Sequence, residues 1–205
     1  MRRVSVQEFV SLDGVMQAPG GPDEDPSSSF RYGGWTAPYF AEADAAAGDF
    51  MARHLAPSDL LLGRKTYEIF ADYWPDHAES WPGIEEVTKY VVSTTLAEAD
   101  VAGSRWRNSS LLRGIDDVRA LLASEGSDLK VIGSSVLARS LFEHDLVDEL
   151  VLMTFPVVLG EGKRLFGPGA VPAAYELAES VVAGNGVVFA VYRRAGDVET
   201  GTVGA

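Results

Sequence analysis

The sequence contains no cysteine, and this absence removes several kinds of site from consideration. Disulfide bonds, thiolate zinc centres, iron–sulfur clusters and cysteine nucleophiles all need sulfur that the chain does not have. Histidine is scarce too, and its three residues show neither an i, i+4 pair nor an H-E-x-x-H motif. We therefore expect no metal site. The chain also lacks a G-x-S-x-G elbow, which argues against a serine hydrolase.

Basic residues are fewer than acidic ones. The chain has 17 Lys and Arg against 30 Asp and Glu, a formal net charge of −13, so its surface would repel a nucleic-acid backbone. No apolar run approaches the roughly 18 residues that a membrane span needs, and the first ten residues have no apolar signal-peptide core. We expect a cytoplasmic protein with a small-molecule substrate, without a nucleic-acid or membrane partner.

The 205 residues, 46% of them apolar, suffice for one domain with a sizeable core. We predict a single domain over residues 1–194 and a flexible tail over 195–205, where periodicity is lost. Residues 17–40 begin with a long polar stretch rich in Pro and Gly. A loop of that length inside a compact domain is typical of an active site. Trp35, Tyr39 and Phe40 follow in it and could form a wall over a planar substrate, although core packing is the better expectation for at least one.

Strand and helix patterns alternate along the first two thirds of the chain. Val4, Val6 and Val10 share one parity, as a strand requires, and Glu8 interrupts their stripe. Short apolar runs at 59–62, 90–92 and 129–132 predict buried strands, and helical patterns cover 41–55, 66–73, 115–124 and the segment from 136. An apolar run at 150–158 is followed by a hairpin signal, Gly184-Asn185-Gly186. The pattern predicts an α/β fold: one domain, a mostly parallel central sheet, an antiparallel C-terminal hairpin and helices on both faces.

Three junctions between a predicted strand and the following segment carry residues suited to phosphate groups. They are Gly63-Arg64-Lys65-Thr66, the hydroxyl cluster Ser93-Thr94-Thr95, and Gly133-Ser134-Ser135 at the start of a helix. Ligands of open α/β sheets bind at the carboxyl ends of the strands, where helix N-termini offer free amides. Each junction alone is weak evidence, but all three should share one edge. The sequence therefore predicts a nucleotide site there, although neither G-x-G-x-x-G nor the P-loop motif is present.

Five segments in series resemble the dihydrofolate-reductase-like superfamily. They are SLDG (11–14), LLGRKTYE (61–68), VVSTT (91–95), VIGSSVLARSL (131–141) and VDELVLMTFPVVLGEGKRLF (147–166). The chain is most similar to the C-terminal reductase domain of the bifunctional riboflavin-pathway deaminase–reductase and its stand-alone relatives. The resemblance spans about residues 4–194. It implies a dihydrofolate-reductase-like fold, an NADPH cofactor, a homodimer, and an activity like 5-amino-6-(5-phosphoribosylamino)uracil reductase. The zinc deaminase half of that enzyme needs cysteines, which this chain lacks.

The resemblance also assigns cofactor-binding residues. Gly63, Arg64, Lys65 and Thr66 match the family's glycine-arginine-x-threonine motif, in which the arginine meets the adenosine 2′-phosphate and the threonine lies by the pyrophosphate. Ser93 and Thr94 match the segment that lines the adenosine end. The glycine-rich turn against the pyrophosphate corresponds to Gly133, Ser134, Ser135, Val136 and Leu137, where two serines replace the usual glycines.

The substrate end departs from dihydrofolate reductase itself. The acid that those enzymes carry in their first long helix corresponds to Ala47, and neither Asp44 nor Asp49 is in register with it. Folate is therefore an unlikely substrate. Asp13 is the candidate catalytic residue, and its alternative role is to stabilise the SLDG turn. Two functional hypotheses remain: an NADPH-dependent reductase of a small heterocycle, and a non-catalytic or regulatory nucleotide-binding protein. The apolar run at 150–158 suggests the dimer interface, although a buried central strand has the same pattern.

Overall fold

Eight strands and six α-helices form in residues 1–41 and 44–204, the part of the chain that the computed structural model describes. The strands are β1 (Val4–Ser11), β2 (Asp59–Gly63), β3 (Lys89–Val92), β4 (Ser109–Leu112), β5 (Leu129–Ile132), β6 (Glu149–Phe155), β7 (Ala174–Val182) and β8 (Val188–Gly196). The helices are α1 (Ala37–Phe40), α2 (Ala45–His54), α3 (Arg64–Tyr73), α4 (Glu98–Ala102), α5 (Ile115–Ala123) and α6 (Ser135–Glu143).

All eight strands belong to one sheet with the order β4-β3-β2-β5-β1-β6-β8-β7. The strands β1 to β6 are parallel to one another, whereas β8 is antiparallel to both β6 and β7. The parallel strands therefore end at the same edge, where β2 leads directly into α3 and β5 leads into α6. The predicted fold class, a mostly parallel sheet with an antiparallel C-terminal hairpin, is confirmed.

The strand β2 shows why a continuous apolar run marks an interior strand. Leu61 packs against residues of α5 and α6, while Leu60 and Leu62 pack on the opposite face against residues of α3 and α4. Successive side chains of a strand point to opposite faces, so three consecutive leucines supply two cores. Ala47 and Phe50 of α2 cover the same face as α3, over β6 and β8. Helices thus lie on both faces of the sheet, as predicted.

Local patterns did not predict β4 or α4. The strand β4 pairs only with β3 at the sheet edge, and its sequence, Ser-Ser-Leu-Leu, is half polar. An edge strand needs neither a continuous apolar run nor strict alternation, because one side of its backbone faces no neighbour. The helix α4 has only five residues, too few to show a period.

Two of the predicted boundaries change in the structure as follows. The helix predicted over 41–55 is α2 over Ala45–His54, because Asp44 accepts a bond from the Ala47 amide and caps it; residues 42 and 43 lie outside the described part. The strand β8 continues to Gly196 opposite Ala174, so residues 195 and 196 of the predicted tail belong to the sheet. Ala205 lies outside the described part, and the flexible tail stays a prediction.

Residues 150–155 of the predicted apolar run belong to β6, which lies between β1 and β8. The hydrophobicity of this part is accounted for by burial within the chain, the alternative that the sequence left open, whereas Val158 beyond the strand is 67% exposed. The homodimer remains a prediction, and the apolar run no longer supports it. No helix in the described ranges is long and apolar enough to cross a bilayer.

Candidate functional site

A large cleft opens at the carboxyl ends of the parallel strands, with a volume of about 1480 Å³. Small-molecule pockets usually measure about 300–1,000 Å³, so this cleft has room for a dinucleotide and a second ligand. It is lined by the residues that follow β1, β2, β3 and β5. The eleven predicted cofactor residues all line it: Gly63, Arg64, Lys65, Thr66, Ser93, Thr94, Gly133, Ser134, Ser135, Val136 and Leu137. The structure therefore brings the three junctions together in one cleft.

The first and third junctions touch each other through their glycines. The Gly63 amide donates to Ser134 Oγ at 2.8 Å, and a Cβ at Gly63 would lie 3.3 Å from that serine's side chain. Gly133 has φ +67°, and a Cβ there would lie 3.1 Å from both Thr66 Cγ2 and Oγ1. Only glycine combines this backbone conformation with so close an approach. The two junctions thus form one rigid floor.

The serine substitution is accommodated by the same contact. Ser134 takes the left-handed conformation, with φ 65°, directly before α6. Its hydroxyl accepts from Gly63, and a hydroxyl that accepts a bond still has its own proton to donate. Ser135 begins α6, whose first amides have no partner within the helix. This turn can therefore present both amides and a hydroxyl to an anion.

Positive charge gathers at the side of the cleft formed by β2, β3 and β4. The half-exposed Arg64 donates to Thr95 Oγ1 at 2.8 Å and to Glu68 Oε1 at 2.7 Å, which links the first junction to the second. Lys65 also lines the cleft. Arg113, which follows β4, donates to the Leu96 carbonyl at 2.7 Å and lines the cleft as well.

The position of Arg113 in the cleft was not predicted from the sequence, because β4, the strand that it follows, was not predicted either. The buried Ser93 bears its hydroxyl inward, where it accepts from the amides of Thr95 and Leu96. Ser93 therefore shapes this turn, while the exposed Thr94 remains at the cleft surface.

A buried carboxyl lies where β1 and β5 meet. Glu8 is only 4% exposed and lines the cleft, and its Oε1 has no hydrogen-bond partner among the described residues. The pairing of Gln7 with Ile132 places Glu8 beside Gly133. Burial raises the pKa of Glu8 well above its ordinary value; the neighbouring Gly133 backbone opposes this shift and the nearby Glu24 adds to it.

Glu8 was visible in the sequence only as an interruption in the valine stripe of β1. Its neighbours of the same parity, Val4, Val6 and Val10, are all buried in one core cluster. A carboxyl in such a stripe signals a functional group, but its neighbours across the sheet come from the distant β5.

The loop after β1 forms the wall on this side. Burial raises the pKa of Glu24, although the Gly20 amide donates to its Oε2 at 2.7 Å. The buried Asp25 forms an ion pair with Lys163, and both line the cleft. Of the predicted active-site loop 17–40, residues 17–25, Thr36 and Phe40 line the cleft. Trp35 instead packs in the core against Phe155, with its indole N–H bonded to the Gln17 carbonyl.

Asp13, the predicted catalytic residue, is not part of the cleft lining. Its carboxylate accepts bonds from Ser11 Oγ and from the amides of Leu159 and Gly160, and it forms an ion pair with Arg164. Partial burial raises the pKa of Asp13, but these bonds outweigh it and hold the pKa well below its ordinary value. The geometry favours the alternative role, a carboxylate that fixes the SLDG turn against the segment after β6.

The helix acid of dihydrofolate reductase has no counterpart on α2. Ala47 is buried in the core. Asp44 uses one oxygen to cap α2 and the other to accept from the Gly184 amide at 2.7 Å. Neither Asp44 nor Asp49 lines the cleft. Within residues 1–41 and 44–204, no group of three His, Asp or Glu is arranged to hold a metal ion.

Known proteins match this chain over most of its length. A sequence profile described as the RibD C-terminal domain matches residues 2–189. The uncharacterized protein YyaP of Bacillus subtilis (strain 168) is 29% identical over 171 residues, which cover 80% of each chain. Among crystal structures, a putative riboflavin biosynthesis protein from Shewanella sp. PV-4 has a TM-score of 0.65 at 23% identity, covering 94% of this chain and 98% of its own.

A pyrimidine reductase-like protein from Corynebacterium diphtheriae has a TM-score of 0.59 at 13% identity, covering 96% of this chain and 93% of its own. At these identities the two structures establish the shared fold.

Proposed function

The chain belongs to the RibD C-terminal domain family, and on that basis we propose that it is an NADPH-dependent reductase that transfers hydride to a C=N or C=O group of a small heterocycle. The descriptions of the two structural neighbours, as a riboflavin biosynthesis protein and a pyrimidine reductase-like protein, agree with this class of reaction. The observation that carries the proposal is the convergence of the three junctions on one cleft, with Arg64 bonded across to Thr95.

The residues present fit a dinucleotide that carries both a pyrophosphate and a 2′-phosphate. Gly63 and Gly133 leave open a cradle that a Cβ would crowd, and the amides at the start of α6 lie beside it. Thr66 and Ser134 would donate hydroxyls to the pyrophosphate there. Arg64 and Lys65 would hold the 2′-phosphate, since a guanidinium matches phosphate geometry better than any other side chain.

NADPH, when bound, supplies the hydride, and the protein's contribution is position and environment. The end of β1 and the turn after β5 would fix the reacting ring against the substrate. The loop 17–25, together with Phe40, would cover the substrate and exclude water from it. The chain has a net negative charge, but Arg64, Lys65 and Arg113 all line one end of its cleft. The local electrostatic field at that end therefore favours phosphate groups.

The test is a pair of cofactor titrations on the Arg64→Ala variant. Hydrogen bonds to charged groups contribute about 1.5–3 kcal/mol, so NADPH affinity should fall about 10- to 150-fold. NADH affinity should change by less than about threefold, because NADH has no 2′-phosphate for the guanidinium to meet. Arg119→Ala is the matched control, since Arg119 forms an ion pair with Asp116 on α5 outside the cleft. An equal loss for both cofactors would contradict the assignment of Arg64.

Turnover is tested separately, by following nicotinamide absorbance with a panel of aminopyrimidines and pterins. Oxidation of NADPH that depends on one of these compounds supports the reductase. Tight NADPH binding without turnover across the panel would instead identify a nucleotide-binding protein without reductase activity.

A further inference from the structure

A groove runs along one face of the sheet between α2 and α3, because these two helices cover strands that are not neighbours. The helix α3 packs over β2 and β3, and α2 packs over β6 and β8. In the strand order β2-β5-β1-β6, the strands β5 and β1 therefore lie between the two helices. The distance from β2 to β6 is three strand spacings, about 14 Å, whereas helices in contact lie about 8–10 Å apart. The two helices consequently leave a gap between them, and the cleft extends into it.

Apolar and aromatic side chains form the base and both walls of this groove. Phe9 of β1 and Ile132 of β5 lie at its base, since both belong to the sheet face that the two helices cover. The walls are lined on the α2 side by Met51, Ala52 and Leu55, and on the α3 side by Phe70, Tyr73 and Trp74. We call these eight residues the apolar groove.

One end of the apolar groove is closed by a turn that contacts the end of α2. The indole N–H of Trp81 donates to the Leu55 carbonyl at 2.7 Å, and a Cβ at Gly83 would lie 3.3 Å from Pro57. The ring of Trp74 packs edge-on against that of Trp81, with centroids 5.0 Å apart. Contacts within the chain thus hold both indole rings in place, and a preorganised wall loses little entropy when it binds a ligand.

Aromatic surface is exposed in the apolar groove, and little charge lies there. Tyr73 of the α3 wall is 49% exposed although it lines the cleft. Among the cleft-lining residues of 51–57 and 69–82, Asp72 is the one charged side chain, so these walls hold no cation for an anionic group. An aromatic ligand that packs against aromatic side chains removes both surfaces from water and gains ring–ring contacts. A flat apolar group is therefore the ligand that these walls suit.

Building on the proposed function, we propose that the apolar groove binds the substrate, and that this substrate is a flat heterocycle with an aromatic or other apolar substituent. The heterocycle lies at the base of the groove, between Phe9 and the turn after β5, and the substituent extends between α2 and α3. The substituent then differs in chemistry from the phosphoribosyl group that the sequence resemblance implies.

The experiment uses protein saturated with NADP⁺ and measures the binding of three pterins by calorimetry at several temperatures. Pterin is the unsubstituted ring, 6-phenylpterin adds an apolar group, and 6-carboxypterin adds a charged one. Because burial of a phenyl group removes its surface from water, 6-phenylpterin should bind about tenfold or more tightly than pterin, with a more negative change in heat capacity. The affinity of 6-carboxypterin should not exceed that of pterin. Equal affinities of pterin and 6-phenylpterin, tighter binding of 6-carboxypterin than of 6-phenylpterin, or no binding by any of the three would overturn the proposal.

A lysine in the α2 wall tests whether the preference arises in the apolar groove. Ala52 is exposed and lines the cleft, so Ala52→Lys adds a cation to the wall without a change in the core. The affinity ratio of 6-phenylpterin to 6-carboxypterin should fall about two- to fivefold, since the carboxylate gains an exposed ion pair. Ala46→Lys is the matched control, because Ala46 is an exposed residue of the same helix outside the cleft lining. An equal change in both variants, or an unaltered ratio in Ala52→Lys, would contradict the assignment.

Removal of an aromatic ring from the α3 wall is a second, independent test. Tyr73→Ala should weaken 6-phenylpterin about two- to tenfold, because one ring–ring contact is lost, and should weaken pterin less. The control Phe166→Ala removes a ring that is 47% exposed and lies outside the cleft lining, so every affinity should stay unaltered. Equal weakening of pterin and 6-phenylpterin by Tyr73→Ala would place the substituent elsewhere.

The NADP⁺ titration that precedes the probe series separates this inference from the proposed function. Failure to bind NADP⁺ removes the proposed function and this inference with it. Normal NADP⁺ binding without a preference for the phenyl group removes only this inference.

Discussion

Replacing Asp13 with alanine distinguishes its two possible roles. In the structure the carboxylate accepts from Ser11 Oγ at 2.7 Å, from the amides of Leu159 at 3.1 Å and Gly160 at 2.9 Å, and from Arg164 Nη2 at 2.9 Å. Ser11 is the last residue of β1, whereas the other three partners belong to the segment after β6. The carboxylate therefore connects the turn after β1 to that segment. The substitution leaves the Ser11 hydroxyl, two amides and the Arg164 Nη2 group without this acceptor.

The expected loss of stability follows from these bonds. A hydrogen bond to a charged group contributes about 1.5–3 kcal/mol. The Asp13 side chain is 20% exposed and that of Arg164 is 40% exposed, so water replaces part of what is removed. We expect a loss of about 2–4 kcal/mol in the free energy of unfolding at neutral pH, which lowers the melting temperature of a chain of this length by about 5–15 °C. Affinity for NADPH should change by less than about twofold, because the residue lies outside the cleft lining.

The assay is urea denaturation of both proteins across pH, with NADPH titrations at neutral pH. Because the pKa of Asp13 is lower in the folded than in the unfolded protein, its contribution is complete above the unfolded pKa of about 3.9. The difference between wild type and variant should therefore shrink as the pH falls below about 4. Unchanged stability together with lost turnover or lost substrate binding would refute this reasoning and restore the catalytic role.

Three further predictions concern other positions. Gly133→Ala places a Cβ 3.1 Å from Thr66 at φ +67°, whereas Gly169→Ala has φ +80° and open space. Backbone strain costs each variant about 1–2 kcal/mol, so Gly133→Ala should lose more free energy of unfolding in urea denaturation and should also bind NADPH more weakly. Equal losses of stability would contradict the close approach. Relative to wild type, Glu8→Gln should become increasingly stable as the pH rises above the unfolded pKa of about 4.3, because a folded pKa raised by burial makes folding less favourable once the unfolded carboxyl ionises; parallel pH profiles in urea denaturation would contradict this. Asp59→Ala removes the partner of a buried arginine and should cost about 3–5 kcal/mol in urea denaturation, whereas a loss below about 1 kcal/mol would mean that the ion pair is not formed.

The buried parallel strands were predictable because their signal is local. Leu60, Leu61 and Leu62 are all apolar because both faces of β2 are covered, and a strand covered on both faces shows this in any short window of sequence. The small and hydroxyl residues that follow Gly63 and Gly133 could likewise be placed at strand ends. Their convergence followed from a general property of parallel sheets, and the structure brings them into one cleft.

Edge elements and side-chain roles were less accessible. The strand β4 has a half-polar sequence, since only one neighbour pairs with it, and without β4 the position of Arg113 in the cleft could not be seen. Asp13 sits in a turn motif compatible with catalysis or with structure. Its partners Leu159 and Arg164 lie about 150 residues away, and no local pattern reveals them.

By itself, the sequence determined the class of fold, the interior strands and the set of small, hydroxyl and basic residues that could meet a dinucleotide. These properties depend on the residues themselves and on neighbours a few positions away. The tertiary structure alone decided that Glu8 is a buried carboxyl inside the cleft, and that the apolar groove lies between α2 and α3. Both follow from the order β2-β5-β1-β6, which places side by side strands that are far apart in the chain, and so sets each side chain's solvent exposure and its neighbours.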